Sequence, residues 1–430
     1  MGFPANSHAM SKQPFPLSSR TDDATLEAVS RVATPVSTQM AQHAYVAPGG
    51  FQAPQQPVYR ASTVFFENTA AMHSRDWRSR ERYSYGLHGT PTSFALEARI
   101  ATLEGGHHTL LTPSGLSAVS LVNFALLGAG DEVLLPDNVY GPNKDLAQHE
   151  LSRFGITHRF FDPSLGEEGL KAAIGPKTRL VWLEAPGSVT LEFPDLLGQV
   201  KACKAQGVTV VLDNTWGAGL AFRPFDLLGD GSLGVDVSVQ ALTKYPSGGG
   251  DVLMGSVTTV DERLHAKLMA THSRQGIGVG AHDIDAVLRA LPTIEMRYAF
   301  QDASARRLGD WLAQQPEVAE VLHPARPGSP GHAHWAALCT QAAGLVSVRL
   351  REGLGMAQAN RLVDALSRFR IGFSWGGPVS LAVPYDLSRM RQAGLSGLAS
   401  GALIRFSTGL ECVEDLLADL AQAFETLRKE

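Results

Sequence analysis

Short runs of Val, Leu and Ile alternate with stretches of helical spacing from residue 93 to residue 259, and this alternation constrains the fold most. The runs are nearly continuous, so each is predicted to be a strand buried on both faces. Such strands, joined by helices, form a mostly parallel sheet with helices on both faces, an α/β architecture. We predict seven of them, at residues 109–112, 132–135, 156–161, 179–183, 208–212, 235–239 and 252–259.

The alternation ends near residue 281, where a longer helical pattern begins, and Pro292 marks the predicted change of domain. The remainder is predicted to be a smaller α+β domain, with strands at 318–322, 345–350 and 403–406 and helices at 356–367 and 413–427. Before residue 93 the pattern is weak, apart from one short helix predicted near 22–33. We divide the chain into a mobile tail (1–45), an N-terminal arm on a neighbouring subunit (46–92), a large domain (93–291) and a C-terminal domain (292–430).

Composition limits the class of protein. The 430 residues suffice for two packed domains, and 44% apolar with 18% charged residues exclude a disordered or fibrous chain. A net charge of −5 argues against a general nucleic-acid binder. Cys203, Cys339 and Cys412 lack paired spacing, so neither a disulfide framework nor a metal site is predicted. Without an apolar run of membrane-spanning length or a secretion signal, we expect a cytoplasmic enzyme and no membrane partner.

Two polar residues follow core strands of the predicted sheet. Asp213 ends the run 208–212, and Lys244 follows strand 235–239 after a short loop. A charged lysine is costly to bury, and one chemical task for it is a Schiff base with an aldehyde such as pyridoxal phosphate. A carboxylate would keep the pyridine nitrogen of that cofactor protonated, so the pair is predicted to grip one ring from opposite sides. The alternatives are a lysine that extends from a strand end to solvent and an aspartate that caps a turn.

A helix start near the same strands is suited to a phosphate. A turn that contains Gly115 leads from the first predicted strand into a helix, where free N–H groups and the helix dipole favour an anion. We expect the backbone of Gly115 and Leu116 and the hydroxyls of Ser238 and Thr243 to hold the cofactor phosphate. Taken alone, each hydroxyl is better explained by an ordinary hydrogen bond at a strand end.

Two further side chains suit a ring cofactor and an amino-acid substrate. Tyr140 follows a core strand and is predicted to stack on the ring, with a tyrosine at the core boundary as the alternative. Arg405 interrupts the apolar strand 403–406, and a guanidinium can bind a substrate carboxylate with two parallel hydrogen bonds. By this evidence alone, an exposed arginine on an edge strand would be the simpler interpretation of Arg405.

Seven stretches, in one order from about residue 55 to the C-terminus, together resemble a known family. They are Tyr85-Gly86-Leu87-His88-Gly89-Thr90, Leu103-Glu104-Gly105-Gly106, Leu183-Glu184-Ala185-Pro186-Gly187-Ser188, Asp213-Asn214-Thr215-Trp216, Thr243-Lys244-Tyr245, Ser374-Trp375-Gly376-Gly377 and Leu403-Ile404-Arg405. The chain resembles the Cys/Met-metabolism family of pyridoxal-phosphate enzymes, and within it the bacterial cystathionine β-lyases. The resemblance implies the PLP-dependent transferase fold of type I, pyridoxal 5′-phosphate as cofactor, and residues 93–291 as the domain that binds it.

The resemblance also implies roles for single residues. Lys244, Tyr140 and Tyr85 are the expected catalytic residues, and Lys244 moves the Cα proton of the substrate. Ser374 and Trp375 are expected to border the substrate. The arm would place Tyr85 at the cofactor of the neighbouring subunit, in dimers with shared active sites that pair into a homotetramer.

The reaction that this resemblance implies is β-elimination, which would cleave L-cystathionine to homocysteine, pyruvate and ammonia, a step before methionine synthesis. The family's γ-acting members usually resemble Ser-Leu-Gly-Gly at 374–377 and Asn-Thr-Phe at 214–216, where this chain has tryptophan instead of leucine and of phenylalanine. Both differences favour β-elimination. The alternatives are a γ-synthase or γ-lyase of the same family, a lyase for other cysteine S-conjugates, and a non-catalytic regulator. Lys244, Asp213 and Arg405 speak against the regulator.

One position departs from the family pattern. Relatives commonly have an arginine two positions after the tyrosine matched to Tyr85, and it reaches across the dimer to the cofactor phosphate. Here that position is Leu87. Either Arg82 or His88 replaces it, or this enzyme binds its cofactor less tightly. We favour Arg82, because arginine stays charged at every working pH. The alternative is that Arg82 belongs only to an exposed basic cluster at 75–82.

Overall fold

The computed structural model of the chain describes residues 35–42, 53–74, 83–392, 398 and 400–428. Two short helices come first, α1 (Val36–Ala41) and α2 (Thr69–His73). Met40 of α1 is buried, and the backbone N–H of Ser37 donates to the Glu295 carboxylate at 2.9 Å. The tail predicted at 1–45 therefore contains a helix that packs on the rest of the chain, and the mobility of the tail stays a prediction. The helix predicted near 22–33 and the basic cluster at 75–82 lie outside the described residues.

The large domain alternates helices and strands, as predicted. In chain order they are α3 (Pro91–Glu104), β1 (His108–Thr112), α4 (Gly115–Leu126), β2 (Glu132–Pro136), α5 (Gly141–Asp145), β3 (Thr157–Phe161), α6 (Glu167–Ala173), β4 (Thr178–Glu184), α7 (Leu196–Ala205), β5 (Thr209–Asp213), β6 (Val237–Gln240), β7 (Gly255–Thr259), α8 (Glu262–Arg274) and α9 (Ala281–Ala290). Within the described residues, seven strands form one sheet in the order β1-β7-β6-β5-β4-β2-β3. Only β7 runs against its neighbours in this large sheet, so the predicted mostly parallel seven-stranded sheet is confirmed.

Both faces of the large sheet are covered, which explains the continuous apolar runs. On β1, Leu110 belongs to the cluster that contains Val122 of α4, whereas the next residue, Leu111, belongs to the cluster that contains Ile100 of α3. Successive strand residues point to opposite faces, so a sheet between two helix layers needs apolar residues at consecutive positions.

The sequence predicts that Ser93 caps the first helix of the large domain and that Gly105-Gly106 ends it. The N-terminus of α3 differs from this prediction. Thr90 caps the helix instead of Ser93: its hydroxyl accepts from the Ser93 backbone N–H, and the Ser93 hydroxyl accepts from the Thr90 backbone N–H at 2.8 Å. Pro91 fits the first helical position, where no partner for an N–H is needed. The helix ends at Gly105 in a left-handed conformation with φ 74°, as predicted.

The C-terminal part is an α+β domain, as predicted. It contains α10 (Ile294–Leu312), β8 (Val318–Leu322), α11 (His332–Leu338), β9 (Leu345–Leu350), α12 (Met356–Asp364), β10 (Arg370–Ile371), β11 (Leu381–Asp386), β12 (Ala402–Ser407) and α13 (Val413–Arg428). Its described strands form a small sheet in the order β10-β11-β12-β9-β8, antiparallel except between β10 and β11. No helix among the described residues combines the length and apolar character needed to cross a membrane.

β10 and β11 are not predicted from the sequence pattern. Pro384 lies inside β11, and proline argues against a strand because it lacks the N–H that a ladder needs. The structure accommodates it because β10 pairs only with Leu381 and Ala382. Pro384 therefore lies beyond the end of the short β10, where no donor is required.

A glutamate at the end of α3 is buried inside the large domain. Glu104 accepts hydrogen bonds from the Ser238 hydroxyl of β6 and from the Asn214 amide at 3.2 Å. Burial raises the pKa of Glu104, because an ionised carboxylate loses its hydration there. These bonds join α3 to β6 and to the residue that follows Asp213.

We expect Glu104→Gln to raise the melting temperature relative to wild type more at about pH 8 than at about pH 5. The raised folded pKa means that the stability linked to this group is fully present below the unfolded pKa and is lost as the pH rises through the folded pKa. An amide does not ionise, so the variant avoids that loss. Glu104→Leu should cost about 1–3 kcal/mol at either pH, because Ser238 and Asn214 lose their acceptor.

Glu132→Gln is the control with the opposite sign. The Arg159 guanidinium donates to Glu132 at 2.7 and 2.8 Å and lowers the pKa of that carboxyl. The stabilisation by ionised Glu132 is present above the unfolded pKa and is lost as the pH falls through the folded pKa. Glu132→Gln should therefore lower the melting temperature most at high pH. Thermal unfolding followed by circular dichroism measures both variants. The same pH trend in both variants would contradict the raised pKa of Glu104.

Candidate active site

Two carboxylates end neighbouring strands at the carboxyl edge of the large sheet. Asp213 closes β5 and pairs across the sheet with Glu184, the last residue of β4. Asp213 is buried and accepts the backbone N–H of Thr215 at 3.0 Å. Burial raises the pKa of Asp213, against the effect of the Lys244 charge. Burial and the neighbouring Asp213 together raise the pKa of Glu184 well above its usual range. Glu184 lies in the family-like stretch 183–188, but no role for it is predicted from the sequence. Its place at the end of an apolar strand was the available signal.

Lys244 lies in the loop after β6, the strand that pairs with β5. Its Nζ donates to the Ser374 hydroxyl at 2.9 Å and lies 5.4 Å from the centre of the Trp375 ring. Burial, with the positive charge of Arg405, lowers the pKa of Lys244 to about 8, while Asp213 opposes the shift. The amine therefore has a sizeable neutral fraction near neutral pH, as a nucleophile or base requires.

The loop of Ser374 and Trp375 packs directly on the residue after Lys244. The Tyr245 ring lies 5.4 Å from the Trp375 ring, and the Tyr245 hydroxyl accepts the Gly344 backbone N–H at 2.8 Å. Gly376 has φ 77°, and a Cβ there would lie 3.0 Å from the Tyr245 backbone nitrogen. Glycine at this position lets the loop approach the Lys244 loop closely.

Arg405 lies on β12 in the interior of the small sheet and is only 7% exposed, so an exposed edge-strand arginine is ruled out. Its guanidinium lies 5.4 Å from the Tyr385 ring centre and donates weakly to the Ser374 carbonyl at 3.5 Å. Burial lowers the pKa of Arg405. Among the described side chains, no carboxylate forms an ion pair with it. A buried guanidinium without a counter-ion is costly, so a carboxylate ligand fits this position.

Tyr140 ends the turn between β2 and α5, and its side chain is 39% exposed. Its backbone N–H donates to Glu184 Oε2 at 2.7 Å. Burial, and then the charges of Asp213 and Glu184, raise the pKa of the Tyr140 hydroxyl. The turn therefore places this aromatic side chain at the same sheet edge as Asp213.

The start of α4 lies against the loop that leads to Lys244. Ser114 caps the helix, and a Cβ on Gly115 would lie 2.7 Å from the Cβ of Ala241, so the contact needs glycine. Leu116 follows and is exposed. A phosphate held by the backbone of Gly115 and Leu116 stays a prediction.

The structure contradicts the predicted phosphate contact of Ser238. Its side chain points into the core between β6 and α3, where the hydroxyl donates to Glu104. The alternation along β6 explains this, because Val237 and Val239 occupy the other face. The Thr243 hydroxyl bonds the backbone of Met254 at 3.1 and 3.3 Å; its contact with phosphate stays a prediction.

Tyr85 and His88 form side-chain hydrogen bonds with other residues of the arm. Tyr85 is 47% exposed, and its hydroxyl accepts from Ser62 at 3.4 Å. Leu87 and His88 form a short turn, and His88 Nδ1 lies 3.1 Å from the Ser84 hydroxyl. These residues line a cleft of about 420 Å³ between the arm and α8. Reach of Tyr85 into a neighbouring subunit stays a prediction, and Arg82 lies outside the described residues.

Three relatives match most of this chain. A cystathionine beta-lyase of Bordetella avium is 40% identical, over 86% of this chain and 91% of the relative. Cystathionine beta-lyase MetC of Escherichia coli (strain K12) is 35% identical, over 85% and 92%. An L-methionine gamma-lyase of Pseudomonas putida is 31% identical, over 86% and 92%.

A solved structure and a family profile agree with these relatives. The crystal structure of metB from Corynebacterium glutamicum has a TM-score of 0.82 and 28% identity, and covers 92% of this chain and 98% of that chain. The profile of the Cys/Met metabolism PLP-dependent enzymes matches residues 37–425. This chain belongs to the Cys/Met-metabolism family of PLP-dependent enzymes, and its cofactor is pyridoxal 5′-phosphate.

Proposed function

We propose that this enzyme cleaves L-cystathionine by β-elimination to homocysteine, pyruvate and ammonia. The observation that carries the proposal is the Lys244 amine, which has a pKa lowered to about 8 between the buried Asp213 and the buried Arg405. Relatives named cystathionine beta-lyases, at 40% and 35% identity, support the choice of substrate.

The residues present fit the cofactor. When bound, pyridoxal phosphate supplies an aldehyde that joins amines and a ring that withdraws electrons from the amino-acid Cα. Lys244 would hold the aldehyde, Asp213 the pyridine nitrogen, Tyr140 the ring face, and the backbone at Gly115 and Leu116 the phosphate. A buried carboxylate, a partly neutral amine and an N-terminal helix turn suit these three polar parts.

The same side chains can perform the proton transfer. Arg405, which lacks a protein carboxylate partner among the described residues, binds the substrate α-carboxylate and thereby orients the Cα–H bond. The neutral Lys244 amine accepts that proton, and Ser374 fixes the direction of the amine through their 2.9 Å hydrogen bond. The carbon–sulfur bond at Cβ then breaks, its electron pair leaves on sulfur, and the thiolate takes up a proton to become homocysteine. The released 2-aminoacrylate reacts with one water molecule to give pyruvate and ammonia. Trp375 covers Lys244 and limits access of water.

We also propose a cytoplasmic homotetramer built from dimers with shared active sites. Large apolar side chains of the arm are exposed in the single chain, among them Phe65 at 92%, which supports a subunit contact there. Cys203, Cys339 and Cys412 are free thiols, which suits a reducing compartment.

Products from purified holoenzyme test the proposal. L-Cystathionine should give pyruvate and homocysteine in equal amounts, measured by chromatography with mass detection. Release of 2-oxobutyrate with cysteine would show γ-elimination and contradict the proposal. Pyruvate from cystine or other cysteine conjugates, with none from cystathionine, would replace the substrate but keep the reaction.

Arg405→Lys should lower kcat/KM for every amino-acid substrate about 10- to 100-fold, because the planar fork is lost and the charge is kept. Arg349→Lys is the matched control: Arg349 lies on the adjacent β9 and pairs with Glu320 at 3.2 Å, and its replacement should change kcat/KM less than about twofold. A loss confined to cystathionine would assign Arg405 to the far end of the substrate instead.

Reconstitution of the apoprotein should depend on pH through Lys244. Only the neutral amine attacks an aldehyde, so the rate of covalent cofactor binding should rise with pH and reach half its maximum near the Lys244 pKa of about 8. Absorbance of the bound cofactor measures that rate. A midpoint near the usual lysine value of ~10.4 would contradict the buried environment.

Lys244→Ala should form no link that borohydride can trap, and its rate of elimination should fall at least about 10²-fold.

A further inference from the structure

Three distant segments of the chain meet at one buried arginine. Arg391 follows β11, and its side chain is 2% exposed. Its Nε donates to Asp137 Oδ2 at 3.0 Å, and its Nη1 donates to Glu192 at 2.8 Å and to the Thr190 hydroxyl at 3.0 Å. The guanidinium thus bridges two carboxylates from different loops of the large domain.

Asp137 is the first residue of the turn that ends at Tyr140. Its carboxylate is fully buried and also accepts from Lys144 Nζ at 3.0 Å and from the Gln392 backbone N–H at 3.1 Å. The other end of the turn is held by Glu184, which accepts the Tyr140 N–H. The position of Tyr140 therefore depends on a carboxylate at each end of the turn.

The second loop held by Arg391 is strained. Val189 has φ 68° and Leu191 has φ 55°, and both side chains are buried. Left-handed backbone at such residues persists only where surrounding contacts enforce it. Glu192, held by Arg391, also accepts from the Asn138 amide at 3.0 Å, which ties this loop to the turn of Tyr140.

The same arginine connects the two domains. It follows β11, which pairs with β12 through Val383 and Arg405. Lys144 adds a bond to the Met390 carbonyl at 2.8 Å in the same segment. Buried ion pairs add little net stability compared with apolar packing, but their hydrogen bonds fix geometry closely.

We propose that Arg391 is a positioning residue for the elimination: through Asp137 it fixes Tyr140 at the cofactor ring, at a set distance from Arg405. The proposal rests on the proposed function. Asp137 is the intermediate contact, because it bonds Arg391 and begins the turn that carries Tyr140.

Arg391→Met in the holoenzyme should lower kcat about 10- to 100-fold, with a smaller change in KM, because a misplaced ring slows the chemical step more than binding. The visible circular dichroism of the bound cofactor should decrease, since it reports the asymmetric contact with Tyr140. Arg391→Lys should recover part of the kcat and part of the cofactor dichroism, because lysine can reach one of the two carboxylates.

Non-additivity separates positioning from stability. If Arg391 acts through Tyr140, the double variant Arg391→Met, Tyr140→Leu should be no slower than Tyr140→Leu alone. Asp419→Asn is the matched control, a buried carboxylate of the small domain that accepts the backbone N–H groups of residues 367–369. It should lower the melting temperature and leave kcat and the cofactor dichroism unchanged.

The proposal would be overturned if the losses of kcat from the two single variants multiply in the double variant. It would also be overturned if Arg391→Met has a lower melting temperature but unchanged kcat and cofactor dichroism. If Arg391→Met does not accumulate as folded holoenzyme, Asp137→Asn makes the same comparison, because it keeps the shape and removes the charge. Failure of the proposed function can be distinguished from failure of the positioning role. In the first case wild type would release no pyruvate from L-cystathionine, but equal losses of cofactor dichroism in Arg391→Met and Tyr140→Leu would still support positioning.

Discussion

Partial removal of the Lys244 amine from water is the constraint on which the site depends. The same burial has opposite effects on opposite charges: it lowers the pKa of Lys244 to about 8 and raises the pKa of Asp213 and of Glu184. One buried environment therefore contains both an amine with a lowered pKa, which can act as a base, and two carboxyl groups with raised pKa values. Each of these charged groups depends on its neighbours, because an unpaired buried charge is costly. The bound cofactor would complete the pairing of charges.

Parallel strands explain how the charged groups come together. The carboxyl ends of β4, β5 and β6 lie side by side, and each leads to a polar residue: Glu184, Asp213 and, after a loop, Lys244. The small domain supplies Arg405 and the loop of Ser374 from the opposite side. The proposed substrate site therefore combines residues from both parts, and Arg391 contributes bonds between the two parts.

Local sequence patterns predicted most of the architecture, and they failed where a residue's usual preference was overridden. Runs of apolar residues located the strands of the large sheet, because burial on both faces favours apolar residues at consecutive positions. β11 was missed because Pro384 argues against a strand, although its missing N–H faces no partner there. The start of α3 was misplaced by three residues because Thr90 and Ser93 are both good caps, and Pro91 decides between them.

By itself, the sequence determined the parallel sheet, the fold classes of the two domains, and the placement of Asp213 at the end of one strand and of Lys244 after the next, since these follow from periodicity and from polar residues near strand ends. Only the tertiary structure decided which way Ser238 points, that Arg405 is buried, and that Arg391 meets Asp137, from which it is separated by 254 positions. Periodicity describes neighbours along the chain. Contacts between distant segments depend on how sheets and loops pack, and no local pattern records them.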